Sequence, residues 1–167
     1  YQKLVSYRDY IKGQVSYNDD AATATGYPYG DPWQLIYVFD GKSHTNVVCE
    51  GYAKAFQYLC DLTFPNQDGR PSSALVSGTM NGGNHMWNVV AIGGRNYLVD
   101  VTNCDDSSIG SPDKLFLCGA AENVAGKQYT VTIDHGSGVP TSKVVYEYDE
   151  LTVERYAPED LKLSATA

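Results

Sequence analysis

Two β-rich runs, residues 84–92 and 95–102, flank Gly93-Gly94, and no other feature constrains the fold as much. A Gly-Gly pair supplies the positive φ angles that a two-residue hairpin turn requires. With that turn, Ile92 opposes Arg95, and each further pair steps one residue outward along both strands. Trp87 then opposes Asp100, and His85 opposes Thr102. Alternate residues share a face. His85, Trp87, Asp100 and Thr102 therefore project from one side. His85 and Asp100 become diagonal neighbours about 7–8 Å apart at the backbone. A slip of one residue would send them to opposite faces.

A helical period precedes the hairpin. Cys49, Ala53, Phe56 and Cys60 recur at spacings of four, three and four, which builds one apolar face over residues 47–61. Lys54, Gln57 and Asp61 point outward, and Pro65 closes the segment. Residues 1–15 read as a second amphipathic helix, with Leu4, Tyr7, Ile11 and Val15 on one stripe. Residues 18–32 are expected as a long loop, with the aromatics Tyr27, Tyr29 and Trp33 in it or just after it. Residues 34–39 are a short apolar run compatible with strand or helix. Residues 66–83 read as loop around one short strand, Ala74-Leu75-Val76. Further strands are expected at 115–118, 128–134 and 143–148. Helices come first and strands later, which reads as an α+β fold. The length suits one domain over residues 1–167, with a motif core at about 34–105 and a strand-rich part at 115–167.

The formal charge of -8 argues against nucleic acid or an anionic membrane as partner, because phosphates demand a basic patch. No apolar run approaches the ~20 residues of a spanning helix. The chain opens at Tyr1 without Met, which suggests a mature form or an excised domain. Its fourteen tyrosines, with abundant Gly, Ser, Thr and Asn, resemble surface-exposed bacterial proteins. An extracellular or cell-surface location and a monomeric state are the expectations.

The chemistry sits on three of these segments. A cysteine nucleophile needs a base to take its proton and a third group to orient that base. The chain supplies them in the order Cys49, His85, Asp100. Thiolate is the working form, and a helix start favours it through unpaired N–H groups. Gly51, two residues on, leaves room for a substrate to approach the backbone. Each residue has a plainer reading: a small core hydrophobe for Cys49, a polar strand start for His85, and a turn-capping carboxylate for Asp100. For a lone cysteine the plain reading usually wins, but the shared face of His85 and Asp100 makes the functional reading of that pair the stronger one.

Four cysteines are present. With Cys49 as a free nucleophile, one bridge remains open, and Cys104–Cys118 is the best placed. All four reduced is the favoured alternative. No C-x-x-C or H-x-x-x-H spacing occurs, so neither a metal nor another cofactor is expected. His135 lies in a Gly/Ser turn and reads as solvent-exposed.

The segments VVCEGYAKAFQYLC, NHMWNVV and NYLVDVTNCD together resemble the signature blocks of the transglutaminase-like superfamily, bacterial relatives of transglutaminases with a papain-like core. Three ordered blocks are far more specific than one motif. The resemblance implies a nucleophile helix packed on an antiparallel sheet. It makes Cys49 the nucleophile, His85 the general base and then acid, and Asp100 the orienter. The Cys-Gly-Ser-Cys-Trp context of papain itself is missing. The backbone N–H of Cys49 is one natural oxyanion donor. Gln34 and Trp33 are candidates for the second, and ordinary loop packing is the favoured reading of each taken singly. Trp87 is expected beside the His–Asp pair. His44 is a cleft candidate, with a solvated turn histidine the stronger reading.

The expected reaction is attack of Cys49 on a peptide or carboxamide carbonyl, in a protein, a peptide or a cell-wall peptide. Hydrolysis is favoured over crosslinking, because crosslinking must exclude water from the thioester and nothing in the sequence shows how. The rival is a non-catalytic binding or scaffold module that keeps the fold.

Overall fold

The computed structural model describes residues 1–24, 31–42, 45–64, 72–120, 122–124 and 127–166. Helix α1 (Gln2–Gln14) comes first and buries Leu4, Arg8 and Ile11. Arg8 is an unexpected member of that face; its guanidinium lies 4.7 Å from the Phe116 ring centre. A two-residue strand, β1 (Ser16–Tyr17), follows α1, and the segment 18–32 expected as a loop contains a short helix, α2 (Asp19–Thr23). Asn18 explains the helix, because its side chain accepts the Ala21 N–H and caps it. Tyr27 and Tyr29 lie outside the described residues.

The run at 34–39 is a helix, α3 (Trp33–Val38). Strand β2 (Asn46–Val47) pairs in parallel with β1 and leads directly into helix α4 (Cys49–Thr63). The predicted apolar face of Cys49, Ala53, Phe56 and Cys60 is buried, and Tyr52 is buried with it. Pro65 lies outside the described residues. Gly51 has a different role from the one expected. A methyl group there would stand 2.6 Å from Val47 Cβ and 3.1 Å from the Gln34 carbonyl oxygen. Its bareness lets the first turn of α4 press against β2 and α3, rather than making room for a substrate.

The sheet follows. Strands β3 (Ser73–Met80), β4 (Gly83–Ile92), β5 (Arg95–Val99), β6 (Phe116–Cys118), β7 (Glu122–Val124), β8 (Gln128–Ile133) and β9 (Ser142–Tyr148) form one seven-stranded sheet in the order β6-β5-β4-β3-β9-β8-β7. Every pairing is antiparallel. β3 is far longer than the three residues expected. It pairs with β4 along its whole length and with β9 over Gly78, Thr79 and Met80, so only that end is held by two neighbours. Two short helices, α5 (Glu150–Arg155) and α6 (Pro158–Leu161), close the chain.

The molecule is thus a mixed α and β fold with an antiparallel sheet. Helix α4 packs across β3 and β4, and α1 and α3 pack against α4. Phe56, Trp87, Val89, Leu98 and Val76 share the resulting core. Gly78 sits at the junction of the two halves of the sheet, opposite His85 on one side and Tyr148 on the other. A Cβ at this position would lie 2.0 Å from the Glu147 carbonyl oxygen and 2.7 Å from Tyr148 Cα.

Candidate active site

The β4–β5 turn has Gly93 and Gly94 at φ 58° and 77°, the left-handed geometry a tight hairpin needs. The register is the predicted one, with Ile92 opposite Arg95 and Asn88 opposite Val99. It departs from prediction only at the open end. β5 stops at Val99, and Thr102–Cys104 is a 3-10 turn, so Asp100 does not pair with Trp87 nor Thr102 with His85. Asp100 causes the break. Its Oδ1 accepts the Asn103 N–H at 3.2 Å, and its carbonyl accepts the Cys104 N–H. The carboxylate therefore caps a turn and faces His85 at once.

His85 Nε2 and Asp100 Oδ2 are 2.8 Å apart, and both residues are buried. Oδ2 also accepts the Tyr146 hydroxyl at 2.7 Å and the Asn103 side-chain amide at 2.8 Å. Burial opposes charge on the imidazole, but the Asp100 carboxylate and its hydrogen bond outweigh it, and the Cys49 side chain adds to the effect. The His85 pKa is raised as a result. For Asp100, burial works against ionisation, and the His85 charge with the Tyr146 and Asn103 donors overcomes it, so its pKa is lowered. Burial, reinforced by Asp100, drives the Tyr146 phenol well above its ordinary value and keeps it a donor. Asp100 thus stabilises the ring whenever it carries a second proton. With Nε2 committed to Asp100, Nδ1 is the nitrogen left for Cys49.

Aromatic rings enclose the pair. Trp87 stacks on His85 with centroids 6.0 Å apart and planes at 17°, which is where the hairpin register put it. Its indole N–H donates to the Tyr129 hydroxyl at 2.8 Å. Tyr146 packs on Trp87, His85 and Tyr129 together.

Cys49 is the first residue of α4 and is 3 % exposed. Gln34 is next to it: its Oε1 accepts the Val48 N–H at 2.9 Å, which fixes the amide orientation. Its Nε2 makes no other hydrogen bond among the described residues. Trp33 is drawn elsewhere. It is 55 % exposed, stacks on Tyr37, and lines neither groove beside His85. His44 lies outside the described residues. Glu50 turns inward and pairs with Lys54 one helical turn on.

Two grooves meet at Asn84 and His85. One, about 410 Å³, runs between α4, β3 and α5. The other, about 340 Å³, is bounded by Tyr17, Asp19, Asn103 and Ser108.

The four cysteines are free thiols, so the Cys104–Cys118 bridge is not formed. Cys60 and Cys104 are fully buried, and burial pushes each thiol up to about 12. Cys118 is only half-buried and points its thiol at the Lys114 carbonyl. His135 is exposed and contacts the Ser142 hydroxyl. Among the described residues, no group of three His, Cys, Asp or Glu side chains is arranged to hold a metal, and no helix is long and apolar enough to cross a membrane.

The sequence reading missed Asn103 and Tyr146. Asn103 had a signal, since an Asn three residues beyond a strand-end Asp suits a capped turn. Tyr146 had none. It arrives from β9, 46 residues from Asp100, and only the strand order brings it there. No protein-family model matches the chain, and no curated protein matches it.

Proposed function

We propose that this protein is a cysteine-dependent acyl-transfer enzyme, with the nucleophile-helix-on-sheet arrangement of papain-like and transglutaminase-like proteins, and that it hydrolyses peptide or carboxamide bonds. The observation that carries the reading is the His85–Asp100 pair at 2.8 Å, with Cys49 acting on the same ring from the first residue of α4. A histidine held this way can receive a thiol proton and return it to a leaving amine. The substrate expected is a peptide or cell-wall amide at a bacterial surface.

In the first step, the Cys49 sulfur forms a bond to the carbonyl carbon, and its proton passes to His85 Nδ1. The carbonyl oxygen takes up the displaced electron pair. The Cys49 N–H and the Gln34 Nε2 amide are the candidate donors to that oxygen. The C–N bond then breaks, and the amine leaves with the proton from His85. Water attacks the thioester, gives its proton to the imidazole, and releases the acid as the C–S bond breaks. Cys49 recovers its proton from the ring. Asp100 remains a carboxylate throughout and stabilises each imidazolium.

The second reading, a non-catalytic binding module, is favoured by one observation: the thiol is almost covered. Labelling separates the two. Iodoacetamide should modify Cys49 much faster than the buried Cys60, and His85→Ala should abolish the difference. Equal, slow labelling of both supports the binding module. Incubation with a glutamine peptide and a primary amine then tests the outcome of the thioester. Release of the free acid supports hydrolysis, and incorporation of the amine overturns it in favour of crosslinking.

A further inference from the structure

The larger groove beside His85 has an uneven lining. Leu75, Met86 and Leu151 supply apolar wall, and Leu151 is 67 % exposed although it faces a concave surface. The charged groups differ in how they are held. Glu50 and Lys54 neutralise one another. Asp149 accepts the Ser77 hydroxyl and the Thr152 N–H, both at 3.0 Å, and so caps α5. Arg155 alone has no carboxylate partner among the described residues, and it is exposed at the groove wall. In a chain of net charge -8, an unpaired guanidinium next to an apolar wall and a buried histidine is an uncommon juxtaposition.

We infer that this groove binds the acyl side of the substrate and selects a segment with an apolar side chain and a carboxylate, the first against Leu75, Met86 and Leu151 and the second at Arg155. A guanidinium presents a planar fork of donors that matches a carboxylate. A chain lying along this groove runs past His85 and past Glu50, the residue that follows Cys49. The bound segment lies beside His85 and Glu50, and Cys49 itself does not line the groove. Arg155 is a specificity determinant and takes no part in bond making. This inference rests on the acyl-transfer reading for its meaning, but the binding itself does not.

The test uses the full chain carrying Cys49→Ala, so nothing turns over. Two fluorescently labelled peptides, Ac-Gly-Leu-Glu-Gly-amide and Ac-Gly-Leu-Gln-Gly-amide, are titrated and followed by anisotropy. The acidic peptide should bind about fivefold more tightly than its amide twin. Adding Arg155→Ala should erase that preference. Arg155→Glu should reverse it, Arg155→Lys should keep part of it, and Leu151→Ser should weaken both peptides alike. Equal binding of the two peptides, no binding of either, or a preference that survives Arg155→Ala overturns the assignment. Binding that depends on Arg155, alongside an intact protein that never forms a thioester, supports the groove and refutes the enzyme. A thioester at Cys49 formed from either peptide at one rate, with or without Arg155, does the opposite.

Discussion

The two outer halves of the sheet make different contributions to one site. The β4–β5 hairpin carries His85, Trp87 and Asp100 on a face fixed by its turn. The β8–β9 hairpin carries no motif, and its residues would pass for ordinary core. Yet Tyr146 donates to Asp100, and Tyr129 accepts from Trp87. The first hairpin supplies the His85–Asp100 pair, and the second holds it in place. A constellation of charged groups in a buried setting needs that second layer, because an unsatisfied polar atom there is costly.

The sharpest way to break this division is to remove one residue from each hairpin. On the acyl-transfer reading, His85→Ala should lower the hydrolysis rate by about 10³-fold or more, measured on any amide the protein cleaves. Tyr146→Phe deletes one donor to Asp100. We expect about a tenfold loss in kcat, a nearly unchanged KM, and about 1–3 kcal/mol of lost stability in urea melts. If Tyr146→Phe costs as much activity as His85→Ala, Tyr146 belongs with the reacting groups and the division fails. Tyr129→Phe strips the acceptor from the Trp87 indole. It should cost about 1 kcal/mol of stability with activity within about twofold, and a larger kinetic loss would show that Trp87 orientation matters to the reaction.

The smallest effect expected is in the pH dependence of stability. The His85 pKa is raised on folding, so its contribution is complete below the ordinary value of 6.5 and is lost as pH rises through the raised one. The Asp100 pKa is lowered, so its contribution is complete above the ordinary value of 3.8 and is lost as pH falls through the lowered one. The thermal-melt gap between wild type and His85→Gln should therefore be widest between those two ordinary values. It should narrow by several degrees, on the order of 3 °C per kcal/mol, as the solution becomes strongly alkaline. A gap that widens with alkali would mean that the imidazole is neutral in the folded protein.

The sequence revealed the first hairpin because its information is local. Gly93-Gly94 sets the turn, the turn sets the register, and the register decides which residues share a face. Helix α4 was legible for the same reason, through a period of Cys, Ala, Phe and Cys. The end of β5 was harder to foresee. Asp100 can extend a strand or cap a turn, and the Asn103 N–H decides between them. β3 was underestimated because its Ser, Gly and Thr have weak strand preference alone. Pairing with β4 along the whole strand, and with β9 at Gly78 and Thr79, overrides that preference. The Tyr146 contact was hidden altogether, since sheet order is a property of the whole chain.

Gly78 stands where the two hairpins are joined through β3. The obstacle to any larger residue there is rigid main chain, not a side chain that can swing aside. A saturation library at this codon, selected only for soluble folded protein, should return glycine almost exclusively. Relaxing the position would mean prising apart the strands whose closeness lets a tyrosine from late in the chain reach a carboxylate from its middle.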